Sequence, residues 1–321
     1  MSKIIVTGAA GFIGSNLVEA LNRKGEDNLI LVDHLGDSLK WKNLLSLKFL
    51  DYFDKDEFLP LLEKDYFGNI KAIFHLGACS DTTVKDLNYL LQNNYRYSQR
   101  IAIYALKKGI TFIYASSAAT YGDGSLGFSD AHEIIPKLKP LNPYGFSKQL
   151  FDLWLYNNNL LNRVVGLKYF NVFGEREFHK GEMRSVVLKA YEQIKKTGKV
   201  RLFKSYHPDF ADGEQKRDFI YVKDAVEMTL FFLEHPEVKG IFNIGTGKAR
   251  SFNDLVKAVF KALGLEPNIE YIEMPENIKK QYQYFTQADI RKIIKAGYKK
   301  PITELEDAVK QYVRYLESQD L

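Results

Sequence analysis

Tyr144-Gly145-Phe146-Ser147-Lys148 sets a tyrosine and a lysine four residues apart, which on a helix is one face. A tyrosine needs its pKa lowered to act as acid or base near neutrality. A lysine one turn away does this by favouring the phenolate. The same pair is also common on exposed helices, so its neighbours matter. Upstream, Thr111-Phe112-Ile113-Tyr114-Ala115 reads as a strand ending in Ser116-Ser117, two hydroxyls at a strand terminus.

The chain also opens on a phosphate-binding pattern. Lys3-Ile4-Ile5-Val6-Thr7 is a buried-type strand, followed by Gly8, Gly11 and Gly14 in the spacing G-x-x-G-x-x-G. Gly8 would make the turn, Gly11 would let a pyrophosphate approach the backbone, and Gly14 would let the following helix pack closely on the strand. Asp33 ends the next apolar run, Asn28-Leu29-Ile30-Leu31-Val32, where a carboxylate can accept hydrogen bonds from an adenosine ribose. Tyrosine, lysine and serine beyond such a loop point to hydride chemistry with a nicotinamide dinucleotide, the lysine also holding ribose hydroxyls.

The elements that position these residues alternate strand and helix. Helix is expected over 12–24, 86–108 and 143–157, and from the third strand to about Glu63. Strand is expected over 28–33, 47–52, 70–76, 111–115 and 163–170. Pro143 suits a first helical turn. The fold class is therefore α/β, a doubly wound parallel sheet that binds ligand beyond the carboxyl ends of its strands. The glycine loop, Asp33, Gly77-Ala78-Cys79-Ser80 and Ser116-Ser117 all fall at such ends. Beyond residue 170 the alternation weakens. Helix is expected near 182–196, 253–263, 286–296 and 303–317, while 216–222 and 240–245 read as strands returning to the sheet. The division expected is a dinucleotide-binding domain of 1–170 plus about 214–244, and a substrate domain of about 171–213 plus 245–321.

Composition excludes several other classes. With 45% hydrophobic and 26% charged residues, the 321-residue chain reads as an ordinary globular protein. The net charge of +5 is spread over scattered lysines, so no nucleic-acid partner is expected. Cys79 is the sole cysteine, which rules out an intramolecular disulfide or a cysteine metal cluster and suits a reducing cytoplasm; it reads as a small packed residue rather than a nucleophile. Neither a membrane span nor a signal peptide is expected.

Further segments carry a resemblance. Tyr169-Phe170-Asn171-Val172-Phe173-Gly174, Arg217-Asp218-Phe219-Ile220-Tyr221-Val222 and Asn243-Ile244-Gly245 join the motifs above, and over essentially its whole length the chain resembles an extended short-chain dehydrogenase/reductase of the NAD-dependent epimerase/dehydratase family. This implies a Rossmann-type sheet with a smaller α/β substrate-binding domain. It also implies roles: Ser117, with Ser116 beside it, on the reacting hydroxyl, Tyr144 moving its proton, and Lys148 supporting Tyr144.

A narrower resemblance rests on Ala115 to Gly122, Gly174 to Met183 and Gln283 to Asp289. These segments are similar to the ADP-L-glycero-D-manno-heptose 6-epimerases, bacterial enzymes that make the heptose donor for lipopolysaccharide core. By this resemblance the cofactor is used catalytically on an ADP-heptose substrate, with oxidation at C6″ to a ketone and return of the hydride to the other face. Lys180 maps onto a second acid/base residue; the other reading makes it a clamp on the diphosphate, and geometry decides. Phe12, Ile13, Asp33, His34, Lys40, Lys55, Leu76, Gly77, Ala78, Cys79, Ser80, Asn93, Lys148, Val172 and Lys180 match cofactor contacts. Asn171, Glu182, Lys189, Phe203, Lys204, Ser205, Tyr206, Arg217 and Tyr282 match substrate contacts. Arg217 suits a diphosphate, with a surface ion pair to Asp218 or a similar residue as the competing reading.

The chain departs from that family's pattern at Glu182, where a small hydroxyl residue is usual, at Lys189, where a histidine is, and in a longer insert at 206–215. Asp33 alone favours NAD, because a carboxylate repels a 2′-phosphate. Lys40 and Lys55 could compensate, and the resemblance tips the choice to NADP, with a homo-oligomer, pentameric in form, as a further implication. The competing readings are a 4-epimerase or 4,6-dehydratase of the same family, or a dinucleotide-sensing regulator. Ala118 and Ala119 stand where a dehydratase needs an acid/base pair, and a sensor has no need of Tyr144 and Lys148.

Overall fold

Alternation along the first strand decides how the sheet is buried. Ile4 and Val6 point into one apolar layer and Ile5 into the other, and all three are fully buried. Strands covered on both faces read as continuous apolar runs, as parallel sheets require. The computed structural model describes residues 2–279 and 282–319. Its first half runs β1 Lys3–Thr7, α1 Phe12–Arg23, β2 Leu29–Asp33, β3 Asp51–Asp54, α2 Lys55–Glu63, β4 Ile70–His75 and α3 Leu87–Leu90. A π-helical turn, Leu91–Arg96, leads into α4 Tyr97–Lys108, then β5 Thr111–Ser117, α5 Pro143–Asn157, β6 Val165–Tyr169 and β7 Asn171–Phe173. The second half contains α6 Val186–Thr197, β8 Val200–Phe203, β9 Lys216–Tyr221, α7 Val222–Glu234, β10 Gly240–Ile244 and β11 Ala249–Ser251. It ends with α8 Phe252–Ala262, β12 Ile269–Ile272, α9 Glu276–Lys279, α10 Arg291–Lys295 and α11 Leu305–Ser318.

Seven strands form one parallel sheet in the order β10-β6-β5-β4-β1-β2-β3. The chain winds outward from β1 in one direction and from β4 in the other. A crevice therefore opens at the carboxyl ends of β1 and β4, the switch point at which doubly wound sheets take ligands.

The smaller part holds a three-stranded sheet, β11-β9-β7, and a parallel pair, β12-β8. The expectation for 216–222 fails here. That segment leaves the large sheet and pairs with β7 and β11, and only β10 returns to the sheet edge. The third strand is also displaced, to 51–54. The helix expected over 286–296 shrinks to α10, and α7 follows β9 with no break, where no helix was expected. α6, α8 and α11 back the small sheets through Leu188, Val256, Val259, Tyr312 and Val313 in the core.

Candidate active site

The glycine loop has the geometry its spacing requires. Gly8 sits at φ +70°, where a side chain is strained, and a Cβ there would lie 2.7 Å from Gly77 N. A Cβ on Gly14 would lie 2.0 Å from Gly8 O, so α1 could not approach β1 with any other residue. Gly11 is the N-cap of α1. It offers no side-chain cap, and no acidic residue occupies the first turn. By contrast α2, α5, α6 and α8 are capped by Asp54, Asn142, Ser185 and Ser251. The uncapped N–H groups of α1 are left to an anion.

A cleft of about 780 Å³ opens over this loop. It is lined by Gly8, Gly11, Phe12, Ile13, Gly14, Asp33, Lys40, Leu76, Gly77, Ala78, Cys79, Ser80, Ser116, Ser117, Tyr144, Lys148, Asn171, Val172 and Lys180. His34, Lys55, Asn93, Glu182, Lys189, Phe203, Lys204, Ser205, Tyr206, Arg217 and Tyr282 lie off its wall. The loop, the uncapped helix and the strand-end carboxylate fit a dinucleotide, whose pyrophosphate the α1 amides would hold.

Asp33 is buried and fully engaged. It accepts from Ala10 N at 2.9 Å, His34 N at 2.7 Å and Lys40 Nζ at 2.6 Å. The Lys40 ammonium offsets the repulsion a 2′-phosphate would meet there. Lys55 does not share this task, since its Nζ pairs with Asp56 at 2.7 Å. His34 turns outward to Asp54, 3.0 Å away.

Asn93 is half-buried and donates only to Tyr89 O at 2.8 Å. Its neighbour Asn94, missed in the sequence, is buried: its Oδ1 accepts from Cys79 N at 2.8 Å, and its Nδ2 donates to Cys79 O at 2.9 Å and Ser147 Oγ at 2.9 Å. It fixes the cofactor-side loop to α5. Cys79, half-buried, is held by its backbone and not placed as a nucleophile.

Tyr144 stands in the first turn of α5, fixed by Pro143 and by Asn142 Oδ1, which accepts from Gly145 N at 2.7 Å. Burial pushes its phenol above the ordinary value, while the nearby Ser117 hydroxyl pulls the other way. Burial sets the direction of that shift, and the Lys148 ammonium donates to Ala115 O at 2.9 Å. Burial brings Lys148 itself down to about 8, against the Asp152 and Cys79 charges that raise it. Ser117 is the serine within reach of the tyrosine. Ser116 Oγ turns into the core and donates to Asp152 at 2.7 Å.

Lys180 reaches the cleft from the turn Phe178–Met183, beyond β7. Its Nζ lies 5.0 Å from the Phe12 ring centroid and has no hydrogen-bond or carboxylate partner among the described residues. Burial lowers its pKa. The unusual segment Gly174 to Met183 is held by Glu177, fully buried, which accepts from Ser185 N at 2.5 Å and Ser185 Oγ at 2.6 Å. His179, also on the cleft wall, is kept neutral by burial, its pKa down to about 4.

The surface ion pair considered for Arg217 does not form. Asp218 is buried and accepts from Thr246 N at 2.7 Å, Gly247 N at 2.9 Å and Ala288 N at 2.9 Å. Arg217, also buried, stacks 5.2 Å from Tyr282 and 5.6 Å from Phe252, a residue of the cleft wall. Glu182 and Lys189, the two departures from the family pattern, are partners: Lys189 Nζ donates to Glu182 O at 2.6 Å and Oε2 at 3.2 Å. Phe203 ends β8 and Lys204 to Tyr206 follow it, with Lys204 and Tyr206 both held by Glu273. The 206–215 insert is tied down by Asp212 Oδ1, which accepts from Ser205 N at 2.7 Å. Among the described residues, none of the His, Cys, Asp and Glu side chains group to hold a metal ion, and no helix is long and apolar enough to cross a membrane.

Comparison with known proteins gives the arrangement a lineage. The model of the NAD dependent epimerase/dehydratase family matches residues 4–245. The ADP-L-glycero-D-manno-heptose-6-epimerase of Nitratidesulfovibrio vulgaris is 54% identical over 318 residues, 98% of each chain. The crystal structure of the Helicobacter pylori enzyme of that name superposes with TM-score 0.82 at 30% identity, covering 99% of this chain and 97% of that one. The Bacillus cereus UDP-glucuronic acid 4-epimerase, solved with UDP-glucuronic acid and NAD, follows at 27% identity and TM-score 0.77, covering 98% and 99%. The chain belongs to the NAD dependent epimerase/dehydratase family, and within it to the group of the heptose 6-epimerases.

Proposed function

We propose that the protein interconverts ADP-D-glycero-D-manno-heptose and ADP-L-glycero-D-manno-heptose at C6″, as a cytoplasmic homo-oligomer supplying heptose for lipopolysaccharide core. One observation carries this reading. A single cleft lined by the glycine loop also holds a tyrosine beside Ser117 and, from a different element, an amine with no hydrogen-bond or carboxylate partner among the described residues. When bound, the nicotinamide accepts a hydride from C6″ and returns it to the same carbon. Between the transfers the substrate is a 6″-ketone, and rotation about C5″–C6″ presents its other face. A single proton carrier serves a hydroxyl in two directions poorly. Tyr144, supported by Ser117, moves the proton at O6″ on one face, and Lys180 moves it on the other. Ala118 and Ala119 line the cleft beside Ser117 and offer no acid or base for elimination.

The cofactor in this reading is NADP rather than NAD, supported by the Lys40 ammonium on Asp33. Two measurements test the proposal together. Cofactor released by denaturation is expected to weigh as NADP, and the purified protein is expected to equilibrate the two ADP-heptoses. Turnover of UDP-galactose without turnover of ADP-heptose overturns the substrate, and released NAD overturns the cofactor.

Arg217 is expected to bind the substrate diphosphate, since it is a buried guanidinium with no carboxylate partner among the described residues. Arg217→Met keeps the stem against Tyr282 and Phe252 and removes the charge. The loss of charge-assisted hydrogen bonds is expected to raise KM about 10- to 100-fold with kcat little changed. An unchanged KM would remove Arg217 from the substrate site.

A further inference from the structure

Beneath the cleft floor lies a buried charge cluster that the chemistry above does not use. Asp152, fully buried, stands on α5 one turn beyond Lys148. Its Oδ1 accepts from Tyr114 OH at 2.9 Å, and its Oδ2 accepts from Ser116 Oγ at 2.7 Å and Lys168 Nζ at 2.7 Å. Lys168, on β6, is 1% exposed and also donates to Thr120 Oγ1 at 2.6 Å. Thr120 Oγ1 in turn donates to Ser117 O at 2.8 Å. The ion pair thus reaches Ser117 by two routes, through the adjacent Ser116 and through Thr120, and reaches Lys148 along the helix face.

A buried ion pair is a poor source of stability, because desolvating both charges offsets their attraction, and apolar residues of the same volume often do as well. What it supplies is a fixed geometry with directional bonds. Here those bonds join β5, β6 and α5 directly under the residues that face the substrate. We propose that Asp152 and Lys168 are positioning residues for the reaction, fixing β5 against α5 so that Ser117, Tyr144 and Lys148 converge. This rests on the reading of those three as the reacting groups.

Electrostatics adds a second signature. The charged and titratable groups facing Lys148 are Asp152 and Tyr144 on α5, Cys79 in the loop after β4, and His75 at the end of β4, which burial keeps neutral with a pKa of about 3. Asp152 raises the pKa of Lys148. Removing that carboxylate should move the alkaline fall of activity to lower pH, because Lys148 then loses its proton earlier.

The test is the double variant Asp152→Asn with Lys168→Met, which removes both charges and keeps the volume. A fold left intact, seen as an unchanged melting temperature, is expected together with kcat reduced about 10²-fold, KM nearly constant and the alkaline limb moved to lower pH. Asp152→Glu, which keeps the charge, is expected to recover part of kcat and the parental alkaline limb. A double variant with parental kcat and pH profile overturns the proposal. If that protein does not fold, Thr120→Val, which cuts only the bridge to Ser117, decides instead: kcat lowered about tenfold supports the proposal, and parental kcat overturns it. Tyr144→Phe, measured in parallel, separates the two layers. Loss of activity there with none in the charge variants overturns the positioning alone, whereas parental activity in Tyr144→Phe overturns both.

Discussion

Tyr144→Phe is expected to lower kcat/KM for heptose epimerisation by about 10³-fold, with the substrate KM and the melting temperature close to those of the parent. The substitution removes one hydroxyl and keeps the ring. Asn142 still caps α5 and Pro143 still starts it, so the helix is untouched. At most one neutral contact, with the Ser117 hydroxyl, is lost, about 1 kcal/mol of stability. What disappears, on the proposed mechanism, is the proton carrier in the first turn of α5. The phenol lies above its ordinary pKa through burial, and Ser117 is the group that pulls it back. Ser117→Ala should therefore impair the same step. Epimer ratios followed by proton NMR from either pure epimer give the rate, and because the equilibrium constant is fixed, both directions must fall together. Turnover within a few-fold of the parent in Tyr144→Phe would end its assignment as a proton carrier.

The parts of the site legible in the sequence are those where the backbone itself restricts residue type. Gly8 and Gly14 could be read because no side chain fits their conformation or their contacts. Asp33 and the Ser116-Ser117 pair could be read because they end apolar runs, and strand ends are where a parallel sheet binds ligand. Sheet membership was not legible. In Lys216 to Val222 the second half, Phe219 to Val222, is as apolar as a central strand, and only the position of β7 and β11 draws the segment out of the main sheet.

Side-chain choice between neighbours was the other weak point. The π-helical turn at Leu91–Arg96 shifts the register of the expected long helix, so Asn94 rather than Asn93 faces inward. In β9, strand alternation sends Arg217 and Asp218 to opposite faces, which rules out the ion pair that adjacency suggested. Asp152 and Lys168 were invisible for a similar reason. Each is an ordinary polar residue in its own segment, and only packing β6 against α5 brings them within 2.7 Å.

Lys180→Met is expected to cost about 10²- to 10³-fold in kcat with KM nearly unchanged, which separates the two roles open to this lysine. A clamp on the diphosphate acts by charge, so its loss would appear mainly in KM. A proton carrier acts only in the transition state, so its loss appears in kcat. Lys180→Arg sharpens the distinction. Arginine keeps the positive charge and binds phosphate at least as well, but it does not give up a proton at neutral pH. Recovery of activity in Lys180→Arg therefore means a clamp, and continued loss means an acid/base group. The surroundings of Lys180 favour the second outcome. Burial lowers its pKa towards the working range, Glu177 opposes that shift, and the nearby Lys189 adds to it. The ammonium of Lys189 is bound to Glu182, whereas that of Lys180 faces the cleft without a hydrogen-bond or carboxylate partner among the described residues. An amine left unpaired beside the substrate cleft, with its basicity reduced by burial, is suited to exchanging a proton with a hydroxyl that has turned away from Tyr144.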